Sequence, residues 1–519
     1  MASRGTSPGT PESRVTQHVS RGILAVVAAS MLLLMGARPS DQPAPFGTGP
    51  GAWPVAGAIY EVSAEYFPNH SINEITARIP ALQQLGISVL YITPIFQCAG
   101  SSQYLILDYY AINPRYGTEA DLSQLVKVAH QHGIKVLLDL VTSLTPDGSY
   151  IMTKHPDWLM HGIDGKVAGY YPFPEWGTAL DGSNSGLIDY FAKVARYYVD
   201  KFDIDGWRAD SPMNNYDPAK VSGDHNRVAL LRAVKTAITS AKKDALMMAE
   251  ITGPEIAWNK DDRKAKPLFD EMCEVSYNYD TCGFLGGLDG AACFYVMFDG
   301  APGITPFHPT ILSKVATNQA TSKEFVDRVK GQRILFDRLR ANFIEDHDTA
   351  RVSKCFPKQH QSLFALVATI PGVPVVHAGQ EIGSTVRPDA SGNTNVLVDW
   401  AKGDLDLQAY YAHILKVRAI NQALISGDIR DVWKAGDRAI AYLRTSGASR
   451  VLVILNFDSK PVHFTVDLPA AELGLASERS YNLRDELTGQ TSVRQGKLLG
   501  NLDLDLPPYG RQIISISLQ

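Results

Sequence analysis

The chain runs to 519 residues, 45% hydrophobic and 20% charged, with 42 glycines and 30 prolines. That is ordinary globular composition, with enough apolar content for a large core and length for about two or three domains. A formal net charge of −5 excludes the strongly basic surface expected of a binder of nucleic acid or anionic membrane.

At the start of the chain, Arg14 and Arg21 precede an apolar stretch from Gly22 to Met35, which ends in the small residues Gly36 and Ala37. A basic flank, a short apolar run and a small-residue end predict a secretory signal over residues 1–37. The run is shorter than the ~20 residues a spanning helix needs, so the expectation is cleavage, no stable membrane insertion, and a secreted or periplasmic protein. Residues 38–57, rich in Pro and Gly, read as a flexible linker. The five cysteines, Cys98, Cys273, Cys282, Cys293 and Cys355, show no zinc-type spacing, and their odd number leaves at least one thiol unpaired.

From Ala58 onward, apolar runs alternate with helical patterns. Ala58 to Val62 is the first strand candidate. A helix then opens on the capping box Ser71-Ile72-Asn73-Glu74 and stops at Gly86. Ser88 to Thr93 is the second strand. Thr118 caps a helix with Leu122, Leu125, Val126 and Ala129 on its apolar face; Gly133 ends it, and Lys135 to Val141 is the third strand. Further strand candidates are Ile204 to Asp210, Ala245 to Glu250, Val275 to Tyr279, Asn342 to Asp346 and Val373 to His377, with helices including Leu187 to Phe202 and Lys323 to Arg340.

Near-continuous apolar strands separated by amphipathic helices indicate a parallel sheet covered by helices. Eight such units predict an α/β fold, a closed (β/α)8 TIM barrel over residues 58–425. No Gly-rich phosphate loop follows a strand, which counts against an open doubly wound sheet. The Gly-, Pro- and aromatic-rich stretch 146–184 reads as a short inserted excursion after the third strand. From residue 426 to 519, strands at Arg438 to Thr445, Arg450 to Asn456, His463 to Leu468, Leu499 to Leu506 and Arg511 to Leu518 predict a C-terminal all-β sandwich domain.

Catalytic groups of such barrels sit at the C-terminal ends of strands, and three carboxylates fall there: Asp210, Glu250 and Asp348. Retaining glycoside cleavage needs two carboxyl groups about 5–5.5 Å apart. The motifs GWRAD with Arg208 and Asp210, MMAEI with Glu250 and FIEDHD with His347 and Asp348 resemble the α-amylase family of glycoside hydrolases. LLDLV with Asp139, QYLILDYYAINPRYGT with Tyr104, and PGVPVVHAGQEIG extend the likeness in the same order along the chain. The resemblance implies a nucleophile at Asp210, an acid/base at Glu250 and a third essential acid at Asp348. Arg208 would keep Asp210 ionised, while His347, Tyr104 and Asp139 would contact the sugar. Trp207 is expected to be packing, and Trp176 offers a ring to a sugar face.

The chain departs from the family at several positions. Ser143 and Leu144 stand where the family has a calcium-ligating Asn and a sugar-contacting His. Ser102-Gln103 replaces a His-Gly pair, and Asp346 replaces an Asn. No calcium site is carried over, because serine is a weaker oxygen ligand, and no other cofactor is implied. Asp346 adds a carboxylate near Asp348, and like charges raise one pKa. The expected activity is hydrolysis of α-1,4-glucosidic bonds in maltooligosaccharides or starch, through a glycosyl–Asp210 intermediate. The alternatives are a transglycosylase or sugar isomerase of the same family, or an inactive carbohydrate-binding or scaffold relative.

Overall fold

The computed structural model describes residues 56–170, 174–212, 220–222, 228–250, 308–335, 339–386 and 397–519, together with the strands 275–277 and 295–296. The predicted leader, and the linker apart from Ala56 and Gly57, lie outside the described residues, as do Cys273, Cys282 and Cys293. Among the described residues Cys98 is a free thiol and Cys355 is disulfide-bonded.

Eight parallel strands close into a barrel: β1 (Ala58–Val62), β2 (Ile87–Ile92), β3 (Lys135–Val141), β4 (Gly206–Asp210), β5 (Leu246–Ala249), β6 (Val275–Tyr277), β7 (Leu339–Asn342) and β8 (Val373–His377). β1 pairs with both β2 and β8, which completes the ring. β1, β3 and β8 are almost entirely buried, so hydrophobic runs without alternation are what a strand covered on both faces requires. The helix Ile72–Leu85 carries the reciprocal Ser71/Glu74 capping box and ends at Gly86 in the left-handed region. The helix Glu119–Gln131 has a second such box, formed by Thr118 and Asp121.

The seventh unit corrects the sequence reading. Its strand spans Leu339–Asn342 instead of Asn342 to Asp346, and the helix before it is Ser322–Leu335, ending short of Arg340. Arg340 and Asn342 are buried polar residues, so the true strand carries no apolar run, whereas Phe343 and Ile344 imitate one. Local bonds then turn the chain out of the ladder. Asp346 Oδ1 accepts the Asp348 N–H at 3.0 Å, and the Asp346 N–H donates to Thr349 Oγ1 at 2.8 Å. Smaller differences occur at β4 and β5, which are shorter than predicted, with Glu250 just beyond the end of β5.

After β3, Leu144–Thr145 pairs antiparallel with Thr178–Ala179, and this two-stranded clasp ties the inserted excursion to the barrel. The C-terminal part holds β9 (Asp428–Asp431), β10 (Trp433–Gly436), β11 (Ile440–Ser446), β12 (Ser449–Leu455), β13 (Val462–Val466), β14 (Ser480–Asp485), β15 (Thr491–Gln495), β16 (Leu502–Leu506) and β17 (Arg511–Leu518). They form a six-stranded sheet in the order β9-β11-β12-β17-β14-β15 and a three-stranded sheet, β10-β13-β16. Residues 499–501, predicted as strand, lie in a 3-10 turn.

Alternation along the six-stranded sheet decides its neighbours. Tyr442, Val451, Val453 and Ile513 pack into the barrel's core. Ala441, Leu452, Ile454 and Ile514 pack with Phe464 and Val466 of the smaller sheet. The central strands β11, β12 and β17 of this sheet are thus buried on both faces, between the barrel and the outer sheet.

Candidate active site

Parallel pairing sets the site. In the β3–β4 register Asp139 lies opposite Arg208 and Val141 opposite Asp210, and β4–β5 pairing places Arg208 beside Met248, two residues before Glu250. One buried guanidinium consequently reaches three carboxylates. Arg208 Nη1 donates to Asp139 Oδ2 at 3.0 Å and to Asp210 Oδ1 at 2.8 Å, while Nη2 donates to Glu250 Oε2 at 2.8 Å. Arginine's planar fork suits this division of labour, which a single ammonium could not reproduce. The Ser211 N–H donates a second bond to Glu250 Oε2, at 2.9 Å.

The opposite wall is built on β1, β2 and the turn after β7. Glu61, at the end of β1, accepts the backbone N–H of His347 at 3.0 Å and also bonds its Nδ1. The other ring nitrogen faces the Tyr104 hydroxyl at 2.9 Å and Asp348 Oδ2 at 3.5 Å. Tyr104 donates to Asp139 Oδ2 at 3.1 Å, and Tyr91 donates to the same oxygen at 2.6 Å. Tyr104 and His347 lie face to face, their centroids 5.6 Å apart. Asp210 and Asp348 keep 14% and 32% of their side chains exposed, so of the cluster's acids these two remain open to solvent.

Electrostatics divides the carboxyls. Burial, with the charges of Asp210 and Asp348 added, pushes Glu250 well above the usual carboxylate range in spite of Arg208. The ion-pair contact favours the charged form, but desolvation outweighs it. Burial likewise raises Asp139 to about 6 against the pull of Arg208. Burial and then Asp348 and Glu61 push Asp346 up to about 7. Burial lowers His347, yet Asp348 and Glu61 more than reverse this and bring it to about 10. His347 is therefore a cation at neutral pH, and both its nitrogens donate.

All seven residues singled out from the sequence, Asp139, Arg208, Asp210, Glu250, Tyr104, His347 and Asp348, belong to this connected cluster. The sequence reading did not name Glu61, Tyr91 or Ser211. Glu61 had a signal, an acid at the C-terminal end of an otherwise apolar first strand. Tyr91 inside an apolar run and the backbone N–H of Ser211 had none. Trp207 is fully buried and donates to the Ala195 carbonyl at 3.2 Å, which is packing. Trp176 is exposed and stacks on Tyr170, whose hydroxyl meets Ser211 Oγ at 3.0 Å.

Among the described residues no three His, Cys, Asp or Glu side chains gather as a metal site. Ser143 directs its hydroxyl to Asp210 Oδ2 at 3.5 Å. Leu144 is buried in the two-stranded clasp. Gln103 is buried and accepts from Ser63 and Thr93 at 3.0 and 2.8 Å.

The family model for the α-amylase catalytic domain matches residues 71–159. A maltogenic α-amylase of Bacillus acidopullulyticus is 23% identical over 79% of this chain and 67% of its own length. A cyclomaltodextrinase of Geobacillus thermopakistaniensis is 25% identical over 83% of the chain and 67% of its own length. The chain thus spans about two thirds of these relatives. Among solved structures, a noncanonic maltogenic α-amylase from Thermotoga neapolitana superposes with a TM-score of 0.69 at 20% identity, covering 90% of this chain and 99% of that one. An α-amylase from Geobacillus thermoleovorans complexed with acarbose gives 0.68 at 19% identity, covering 89% and 98%.

Proposed function

We propose that this chain, a glycoside hydrolase of the α-amylase type, cleaves α-1,4-glucosidic bonds of maltooligosaccharides and starch with retention of anomeric configuration. The observation that carries this reading is the single guanidinium of Arg208 holding Asp210 and Glu250 from different nitrogens. Beside it, one acid remains open to solvent while burial keeps the other's affinity for a proton high.

In the first step an Asp210 oxygen attacks the anomeric carbon, and Glu250 gives its proton to the departing glycosidic oxygen. A glycosyl ester forms and the chain beyond the bond leaves as an alcohol. Ester formation removes the charge on Asp210, so Glu250, now ionised, takes a proton from water as the water attacks the same carbon. The ester bond breaks and both carboxyls return to their first state. Tyr104, Asp139, Asp348 and the cationic His347 would bind sugar hydroxyls as the ring flattens.

The first test is proton NMR of the product formed early in maltopentaose hydrolysis, with Asp210→Ala and Glu250→Gln alongside. The α-anomer should appear first, and Glu250→Gln should lower kcat by about 10²–10⁴-fold. A β-anomer first, or full activity in Asp210→Ala, overturns the mechanism. Leu144 and Ser143 in the cleavage region favour a second reading, a carbohydrate-binding relative without turnover. Glucan binding with no product on any α-glucan would select it.

A further inference from the structure

The loop between β2 and the helix Glu119–Gln131 has two working sides. Tyr104 serves the carboxylate cluster. Further along the same loop, in the hairpin strand Ile106–Ile112, Asp108 and Tyr110 line a separate groove of about 500 Å³, within the usual size of small-ligand sites. The rest of its wall comes from the start of the inserted excursion (Tyr150, His155, Trp158) and from the helix Ser185–Phe202 (Asp189, Tyr190, Lys193). None of the clustered acids borders it.

The groove is an aromatic basket with a polar rim. Tyr150 stacks on Tyr190 with centroids 5.7 Å apart, and Tyr110 meets Tyr190 edge-on at 6.1 Å. His155 lies flat on Trp158 at 3.7 Å. Tyr110 and Tyr150 nevertheless leave 37% and 43% of their surfaces exposed. Tyr190 is 8% exposed, and its hydroxyl has no hydrogen-bond partner among the described residues. That hydroxyl is itself closed off from solvent, so the face the groove offers to a bound molecule is made by the exposed rings of Tyr110 and Tyr150.

Ring faces for C–H surfaces, with the Asp108 carboxylate and the Asp189–Lys193 pair (2.6 Å) on the rim to accept from and donate to hydroxyls, describe a neutral polyhydroxyl ring. With Asp189 paired to Lys193, the groove has no net positive charge to hold a phosphate backbone, and an acyl chain would leave its polar rim unanswered. We infer that the groove is a second α-glucan-binding site, which holds a further stretch of polymer while the cleft works on another. This rests on the reading of the chain as α-glucan-active.

The test is affinity electrophoresis of the full chain carrying Asp210→Asn through gels containing amylopectin, with Tyr110→Ala/Tyr150→Ala and, separately, Asp189→Asn added. All three side chains are exposed, so the fold should be unaffected. Loss of two stacking faces should weaken retention about fivefold or more. In the active chain the same changes should raise KM on amylopectin to a similar degree, leaving kcat and maltotriose turnover within about twofold. Unchanged retention in both variants, with α-glucans still cleaved, overturns the groove and leaves the hydrolase reading standing. Groove-dependent retention without turnover of any α-glucan does the reverse. Neither retention nor turnover removes both.

Discussion

Asp346 is buried, and burial followed by the charges of Asp348 and Glu61 raises its carboxyl to about 7. An unfolded chain would hold the same group near pKa ~3.9. The folded state therefore binds the extra proton between these values. Its contribution to stability is complete below about pH 4 and is lost as pH rises through about 7. Asp346→Asn keeps an oxygen to accept the Asp348 N–H and removes the titration. The two proteins should unfold alike near pH 4, and the variant should be the more stable at pH 8, with a ceiling of about 4 kcal/mol. Urea unfolding at both pH values measures the difference; equal stability at pH 8 would show that Asp346 is already ionised without cost. The same residue illustrates what one sequence tells. An acid beside Asp348 was visible, and so was the sign of the effect. The further contribution of Glu61 was not, since β1 and the turn after β7 meet only when the barrel closes.

At the scale of elements, legibility followed burial. β1, β3 and β8 lie within two buried faces, and their apolar runs ended where the ladders end. β7 failed because Arg340 and Asn342 are polar residues inside the barrel. In the C-terminal domain β9, β10, β14 and β15 went unread. β10 and β15 are largely or wholly exposed, and without a buried side an edge strand has no alternation to betray it. The contact between β4 and β5 depends on a feature that sequence patterns do not weigh. Gly206 opens β4 at φ +149°, and a Cβ there would stand 1.9 Å from the Leu246 carbonyl oxygen. Gly206→Ala must push β5 away from β4, and with it Glu250 from Arg208. A loss of about 3 kcal/mol or more is expected, together with at least a tenfold fall in kcat. Gly133→Ala is the control: its φ is +70° and nothing lies within 4 Å of the added Cβ, so it should cost only about 1–2 kcal/mol of backbone strain. Equal effects would assign the cost to φ alone and not to strand spacing.

The whole molecule turns on the doubly buried centre of the six-stranded sheet. Arg444 is fully buried and donates to the carbonyls of Thr369 and of Gly427, the latter at 2.8 Å. Tyr442 meets Thr369 Oγ1 at 2.5 Å and packs near Phe325, which belongs to the helix Ser322–Leu335. Ser322 Oγ donates to the Ala441 carbonyl at 2.8 Å and accepts its N–H at 3.0 Å, so side chain and ladder are interlocked. Asn318 and Asp458 add a bond at 2.8 Å. Inter-domain surfaces that tolerate independent motion are usually more polar than this. Here the sheet supplies part of the barrel's own apolar core, so neither part can lose the other without exposing that core. Calorimetry of the full chain should accordingly give one unfolding transition, and Tyr442→Ala, which leaves a cavity between the parts, should lower it as a unit by about 3–5 kcal/mol. A chain ended at residue 425 should be insoluble or unfolded at temperatures where the full chain is intact. Two resolved transitions, with only one shifted by Tyr442→Ala, would mean that the sheet merely rests on the barrel. The geometry of the carboxylates would then owe nothing to the C-terminal domain.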